Sequence, residues 1–144
     1  MQQSNFTKLI NKSYENVRMA SYAIDCIMER IHNPALAELV RKQNKFYLDA
    51  TTDIENLARS REIKLNDINL VAQTMSFVSI KLKTLKDNDS AKLSEMLVRG
   101  TTMGITDAIK ARNEYPVDSP ELVAIVDRII SHEEEFVDSL KTFL

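Results

Sequence analysis

Four polar residues fall on or beside positions that a helix would turn inward: Gln43, Asp53, Asp107 and Glu133. A carboxylate in an apolar interior costs several kcal/mol unless it is protonated, hydrogen-bonded, ion-paired or metal-bound. Each of these acids therefore needs a partner. Glu133 has the firmest inward register, because Ile129, Phe136 and Leu140 lie on the same stripe. Lys81, flanking Val78 and Leu82, is one candidate ion-pair partner, and Tyr14, Tyr22 or Tyr47 can donate a hydroxyl instead. The helix order derived below puts Asp53 and Asp107 at about the same height on parallel helices with Ser13 near that level, where a cation could sit. A register shift of a few residues would turn Asp53 to the flank of its helix, where caps or Lys side chains satisfy it.

Other chemistries lose their residues quickly. Cys26 is the single cysteine, so an intrachain disulfide and a thiolate metal cluster are excluded, and a reducing cytoplasm fits. Both glycines, Gly100 and Gly104, lie four apart inside a helical pattern, which excludes a phosphate-binding loop; no Ser-His-Asp arrangement is recognisable. Each glycine costs about 1 kcal/mol against alanine there, so the pair points to close packing, with another backbone coming near. Met75, Met96 and Met103 recur at seam spacing, which suits gap-filling in a core. Glu134 and Glu135 read as a solvated face.

The elements that must position these side chains are long helices. The chain of 144 residues has 2 Gly and 3 Pro with 44% hydrophobic residues, enough for one all-α domain over 1–144. Phe6, Ile10, Ser13, Val17, Ala20, Ile24, Ile27 and Ile31 alternate four and three apart, a seam too long for one short partner. Helices are expected at about 5–32, 34–61, 66–86, 90–114 and 119–143, with Ser4 or Asn5, Asn33, Asn66 or Asp67, Asp89 or Ser90, and Asp118 or Ser119 as caps. Helix two carries two overlapping apolar registers, one through Phe46 and Asp53, the other through Tyr47 and Ile54. If the shorter third helix runs back along the edge, helices two and four are parallel, giving an up-down-down-up bundle with a crossover.

That order, with the segments Tyr14-Glu15-Asn16-Val17-Arg18-Met19, Ala23-Ile24-Asp25 and Gly100-Thr101-Thr102-Met103-Gly104-Ile105, resembles the ferritin-like superfamily, small bacterial members above all. The resemblance implies a four-helix bundle with an additional crossover helix. Metal-binding members hold two irons or manganese ions with a Glu from each of two helices and Glu-x-x-His from each of two others. This chain departs from that set. Of its two histidines only His32 follows a Glu at that spacing, Glu29, which points away from Ile27 and Ile31; His132 follows Ile129.

The expected function is therefore a non-catalytic bundle with a structural or interaction role, forming a homodimer or larger homo-oligomer and carrying no cofactor. A metal-binding or redox protein is the alternative, with iron, manganese or zinc in a histidine-poor site of Asp53, Asp107 and Glu133. A third is a small-molecule binder with a cavity among the methionines and tyrosines. A net charge of −2 without a basic stripe speaks against nucleic acid. No run approaches the ~18 apolar residues of a membrane span, and no leader precedes the first helix, so a cytoplasmic protein is expected.

Overall fold

In the computed structural model, which describes residues 3–69 and 89–144, four long helices form the structure: α1 (Asn5–Ile27), α2 (Pro34–Ser60), α3 (Ser90–Glu114) and α4 (Pro120–Leu140). No strand occurs among the described residues. Each helix starts where a short polar side chain takes up an otherwise orphaned amide. Ser4 Oγ accepts from Thr7 N, Asn33 Oδ1 from Leu36 N, Asp89 Oδ1 from Lys92 N and Ser119 Oγ from Leu122 N, at 3.0–3.2 Å. Pro34 and Pro120 occupy the first helical position, where a missing N–H costs nothing.

The first helix ends sooner than its seam suggests. At Met28–Arg30 it tightens into a 3-10 turn, and Ile31 is extended, while remaining buried. Pro34 disfavours helical backbone at Asn33, so the chain leaves the helix early to make the hairpin turn. At the far end of α2, Glu62 adopts φ 56°, the left-handed geometry of a helix stop. Its N–H bonds to Arg59 O at 3.1 Å, and Ile63 N–H bonds to Ala58 O at 2.8 Å.

The helix expected over 66–86 is not helical across residues 66–69; the remainder, with Met75 and Lys81, lies outside the described residues. There the backbone N–H of Asn66 donates to Asn11 Oδ1 at 2.8 Å, and Ile63 and Leu65 pack on the core. A backbone amide is thereby tied to α1.

Contacts between helices give their relative directions. Along α2 and α4, Arg61 meets Glu121, Asp53 meets Arg128 and Tyr47 meets Glu133, so one numbering rises as the other falls. Those helices are antiparallel neighbours. Asn5 Nδ2 donates to Pro116 O at 3.1 Å and Lys8 Nζ lies 5.6 Å from the centre of the Tyr115 ring, which places the start of α1 beside the end of α3. Helix α1 thus lies between α2 and α3, and α4 closes against both α2 and α3.

The apolar stripes meet in one core, with Ile10, Val17, Ile24 and Ile27 from α1, Leu36, Val40, Tyr47 and Ile54 from α2, Leu93 and Ala108 from α3, and Leu122, Ile129, Phe136 and Leu140 from α4. Of the two registers on α2, the one through Tyr47 and Ile54 forms the core. Phe46 and Leu39 are only half-buried, and Asp53 is exposed.

Candidate functional site

Glu133 is the inward acid. It sits on α4 one turn beyond Ile129 and one before Phe136, both buried, and is itself 4% exposed. The Tyr47 hydroxyl, from α2, donates to Glu133 Oε2 at 2.8 Å, and no cation pairs with the carboxyl among the described residues. Burial pushes its pKa up from 4.5 to about 7, against a smaller lowering by the Tyr47 hydrogen bond. Burial and the neighbouring carboxyl push the Tyr47 phenol well above its ordinary value, so it remains a hydroxyl donor. Gln43, one turn earlier on α2, is near enough to the phenol to oppose that rise, yet its buried Nε2 makes no hydrogen bond of good geometry among the described residues.

The side of Glu133 away from α2 faces α3 at Gly104. A Cβ on Gly104 would stand 3.1 Å from Glu133 Oε2, tighter than ordinary contact, so the glycine makes room for the carboxyl. A Cβ on Gly100, one turn earlier, would meet nothing within 4 Å. Among the described residues, then, the nearest neighbour at Gly104 is a side chain and not another backbone, and Gly100 meets nothing. One faces a carboxylate and the other faces open space.

That space is a cleft of about 250 Å³ between α1 and α3, floored by α2 and α4. Met19, Ala20 and Ala23 line one wall, Met96, Leu97 and Gly100 the other, and Tyr47, Glu133 and Phe136 the base. Ala20, Ala23 and Gly100 carry too little side chain to fill the gap between the walls. Met96 is buried as expected, but Met103 is 58% exposed at the mouth, so its place is the edge of the cleft and not the core. Its position follows from α3 turning its glycine stripe, not its methionine, toward α4.

Other expected site residues are elsewhere. Asp53 is exposed and pairs with Arg128 at 3.0 Å, because the core register of α2 passes through Ile54 instead. Asp107 is exposed as well, although it lines one end of the cleft. Ser13 is buried and spends its hydroxyl on Leu9 O at 2.8 Å. Asp53 lies apart from Asp107 and Glu133, which line one cleft, and among the described residues no three His, Cys, Asp or Glu side chains gather in a way that could hold a metal ion. Glu29 and His32 are both exposed, and His132 stacks on Phe46 with ring centres 3.9 Å apart. Tyr47 stood in the sequence as one of three possible donors; its place on the core register with Gln43 and Ile54 distinguishes it from Tyr14 and Tyr22. No helix among the described residues is long and apolar enough to cross a membrane. The chain matches no known family, and no curated protein or solved structure is similar enough to count as a relative.

Proposed function

We propose that the bundle is a non-catalytic small-molecule-binding protein whose ligand lies in the cleft between α1 and α3. The observation that carries this is the open volume itself. About 250 Å³ of largely apolar space beside a buried carboxyl exceeds the ~150 Å³ of an engineered cavity that binds benzene. A bundle selected only for stability would close it, since an unfilled void forfeits dispersion contacts. Titration with 1-octanol tests the reading by amide chemical shifts: those of Ala23, Leu97 and Gly104 are expected to move in the wild type and to stay still in Gly100→Leu, whose side chain fills the cleft. A wild type whose shifts do not move overturns the reading.

The antiparallel contacts of α1 with α3 and of α2 with α4 support an up-down-down-up, ferritin-like course for the four helices. A carboxylate-rich metal or redox site loses its support, because Asp53 is occupied at the surface by Arg128. Self-association is favoured by one observation, the exposure of Met103 beside the apolar mouth. It predicts a dimer by sedimentation at micromolar concentration that Met103→Glu dissociates, and a monomeric wild type ends it.

A further inference from the structure

The cleft has two chemically different ends. Asn16 and Asp107 line one, facing each other across the antiparallel α1 and α3, and Glu133 reaches α3 at Gly104, one turn from Asp107. Ile27 and Met96 line the other, next to Phe136. Among the described residues no Lys, Arg or His lines the cleft, and the two charged groups that do are acids. The Glu133 carboxyl is almost wholly buried and, among the described residues, receives one hydrogen bond, from Tyr47. A carboxylate offers about four acceptor sites, so most of its capacity is unspent.

We infer that the cleft takes a primary alkylammonium ion, its chain of about eight carbons lying along the α1–α3 groove and its ammonium group on Glu133, with Asp107 as the second acid at that end. The inference rests on the small-molecule reading above and adds the class of ligand. Size follows by proportion: ~150 Å³ admits the six carbons of benzene, so 250 Å³ holds about ten heavy atoms. The lining runs from Asn16 to Ile27 on one wall and from Met96 to Asp107 on the other. At 1.5 Å per residue that is about 16 Å, a length that suits a linear chain better than a compact ring. The head group follows from charge. An ammonium brings three donors and a positive charge to two acids that have no lining cation, whereas a fatty acid of equal length brings a third negative charge. An alcohol fills the same groove and gains only the apolar part.

The groups facing Glu133 are Tyr47 from α2 and Asp107 on the α3 wall, and α1 presents no titratable side chain to the cleft. Near neutral pH the buried carboxyl is about half protonated. A docked ammonium favours its anion, so the carboxyl proton leaves to solvent while the ammonium keeps its own three. Affinity therefore falls as pH drops below about 7, by at most tenfold per unit.

Calorimetry with octylamine, 1-octanol and octanoate, at pH 8 and pH 6, tests the inference on the full chain. At pH 8 octylamine is expected to bind about tenfold or more tighter than 1-octanol, with octanoate weakest, as a charge-assisted hydrogen bond warrants. From butylamine to octylamine the affinity should rise about fourfold per methylene. In Glu133→Gln, whose folding is checked by circular dichroism and urea unfolding, the preference for octylamine over 1-octanol collapses. If none of the three ligands binds, the small-molecule reading itself fails. If 1-octanol binds and octylamine is no tighter, or octanoate is tighter, or Glu133→Gln keeps the preference, the cleft is an apolar site and the ammonium inference is overturned.

Discussion

Helix α1 faces two neighbours, and its two sides are built on opposite terms. Toward α2 its polar side chains are spent on one another: Ser21 Oγ donates to Asn44 Oδ1 at 2.7 Å, and Asn44 Nδ2 donates to Asp25 Oδ1 at 3.2 Å. On α2, Thr51 returns its hydroxyl to Tyr47 O at 2.8 Å. Toward α3 the same helix presents Met19, Ala20 and Ala23 to a space left by Gly100, with a carboxyl at the base whose hydrogen-bond partner among the described residues is a phenol. The hairpin spends these polar groups locally, and the cleft on its own face, about 420 Å³, is open and lined by charged residues such as Arg18, Asp25 and Glu55. The other side leaves space and acceptor capacity unused, which in a folding protein is a cost. Function is therefore sought where open apolar volume lies beside a buried carboxyl.

The most forceful way to break this contrast is to remove the charge from the α3 side. The pKa of Glu133 in the folded protein, about 7, lies above its ordinary 4.5, so the folded state holds the proton more tightly than the unfolded one. Stability is full below about pH 4.5, falls as pH rises toward 7 and levels off above it. The full swing is on the order of 3 kcal/mol. In Glu133→Gln this slope should vanish while every other titration remains. The difference in urea stability between variant and wild type should thus grow in the variant's favour from pH 4 to pH 8. A difference that stays constant over that range would show that the carboxyl is not buried in the way described.

Next in size is Tyr47→Phe, which leaves the buried carboxyl without its donor. The expected cost is about 1–3 kcal/mol in urea unfolding. Because the Tyr47 hydrogen bond lowers the Glu133 pKa, its loss should also move the pH step just described to higher pH. A purely steric role for the phenol would leave that step in place.

How much of this was legible follows from where the pattern was redundant. Glu133 could be placed because three apolar residues on α4 agree on one stripe, and the four caps because each is a short polar side chain at the edge of an apolar run. Asp53 was misplaced because α2 carries two apolar registers one residue apart, and only the packing of Tyr47 and Ile54 selects between them. The glycines were seen as exceptional, but a helix-interior glycine says only that a Cβ is unwanted or unneeded. Whether a backbone, a carboxyl or empty space lies opposite depends on the neighbouring helix. The non-helical stretch at 66–69 depends on Asn11, over fifty residues away, and left no local signal.

The glycines sharpen the comparison within α3 itself. Gly100→Ala places its methyl in open space, so it should stabilise by about 1 kcal/mol, the helix-propensity gain undiminished. Gly104→Ala gains the same propensity but sets its methyl 3.1 Å from Glu133 Oε2, so the carboxyl must yield and the net gain should be smaller or reversed. Thermal denaturation of the two variants side by side reads the difference. Equal gains would mean that Glu133 moves freely and that Gly104 does not position it.

The smallest effect belongs to Asp53, and its smallness is informative. The Asp53–Arg128 pair is about half exposed on both sides, so its attraction is screened and Asp53→Asn should cost at most about 1 kcal/mol, less in 1 M NaCl. It should leave the pH-dependent difference at Glu133 untouched, because Asp53 lies at the surface with Arg128 while Glu133 is buried with Tyr47. Were Asp53→Asn instead to cost several kcal/mol, or to shift the Glu133 step, the register through Phe46 and Asp53 would be the buried one. Tyr47 would then lose its place beneath the cleft, and the single-donor environment that sets Glu133 apart would go with it.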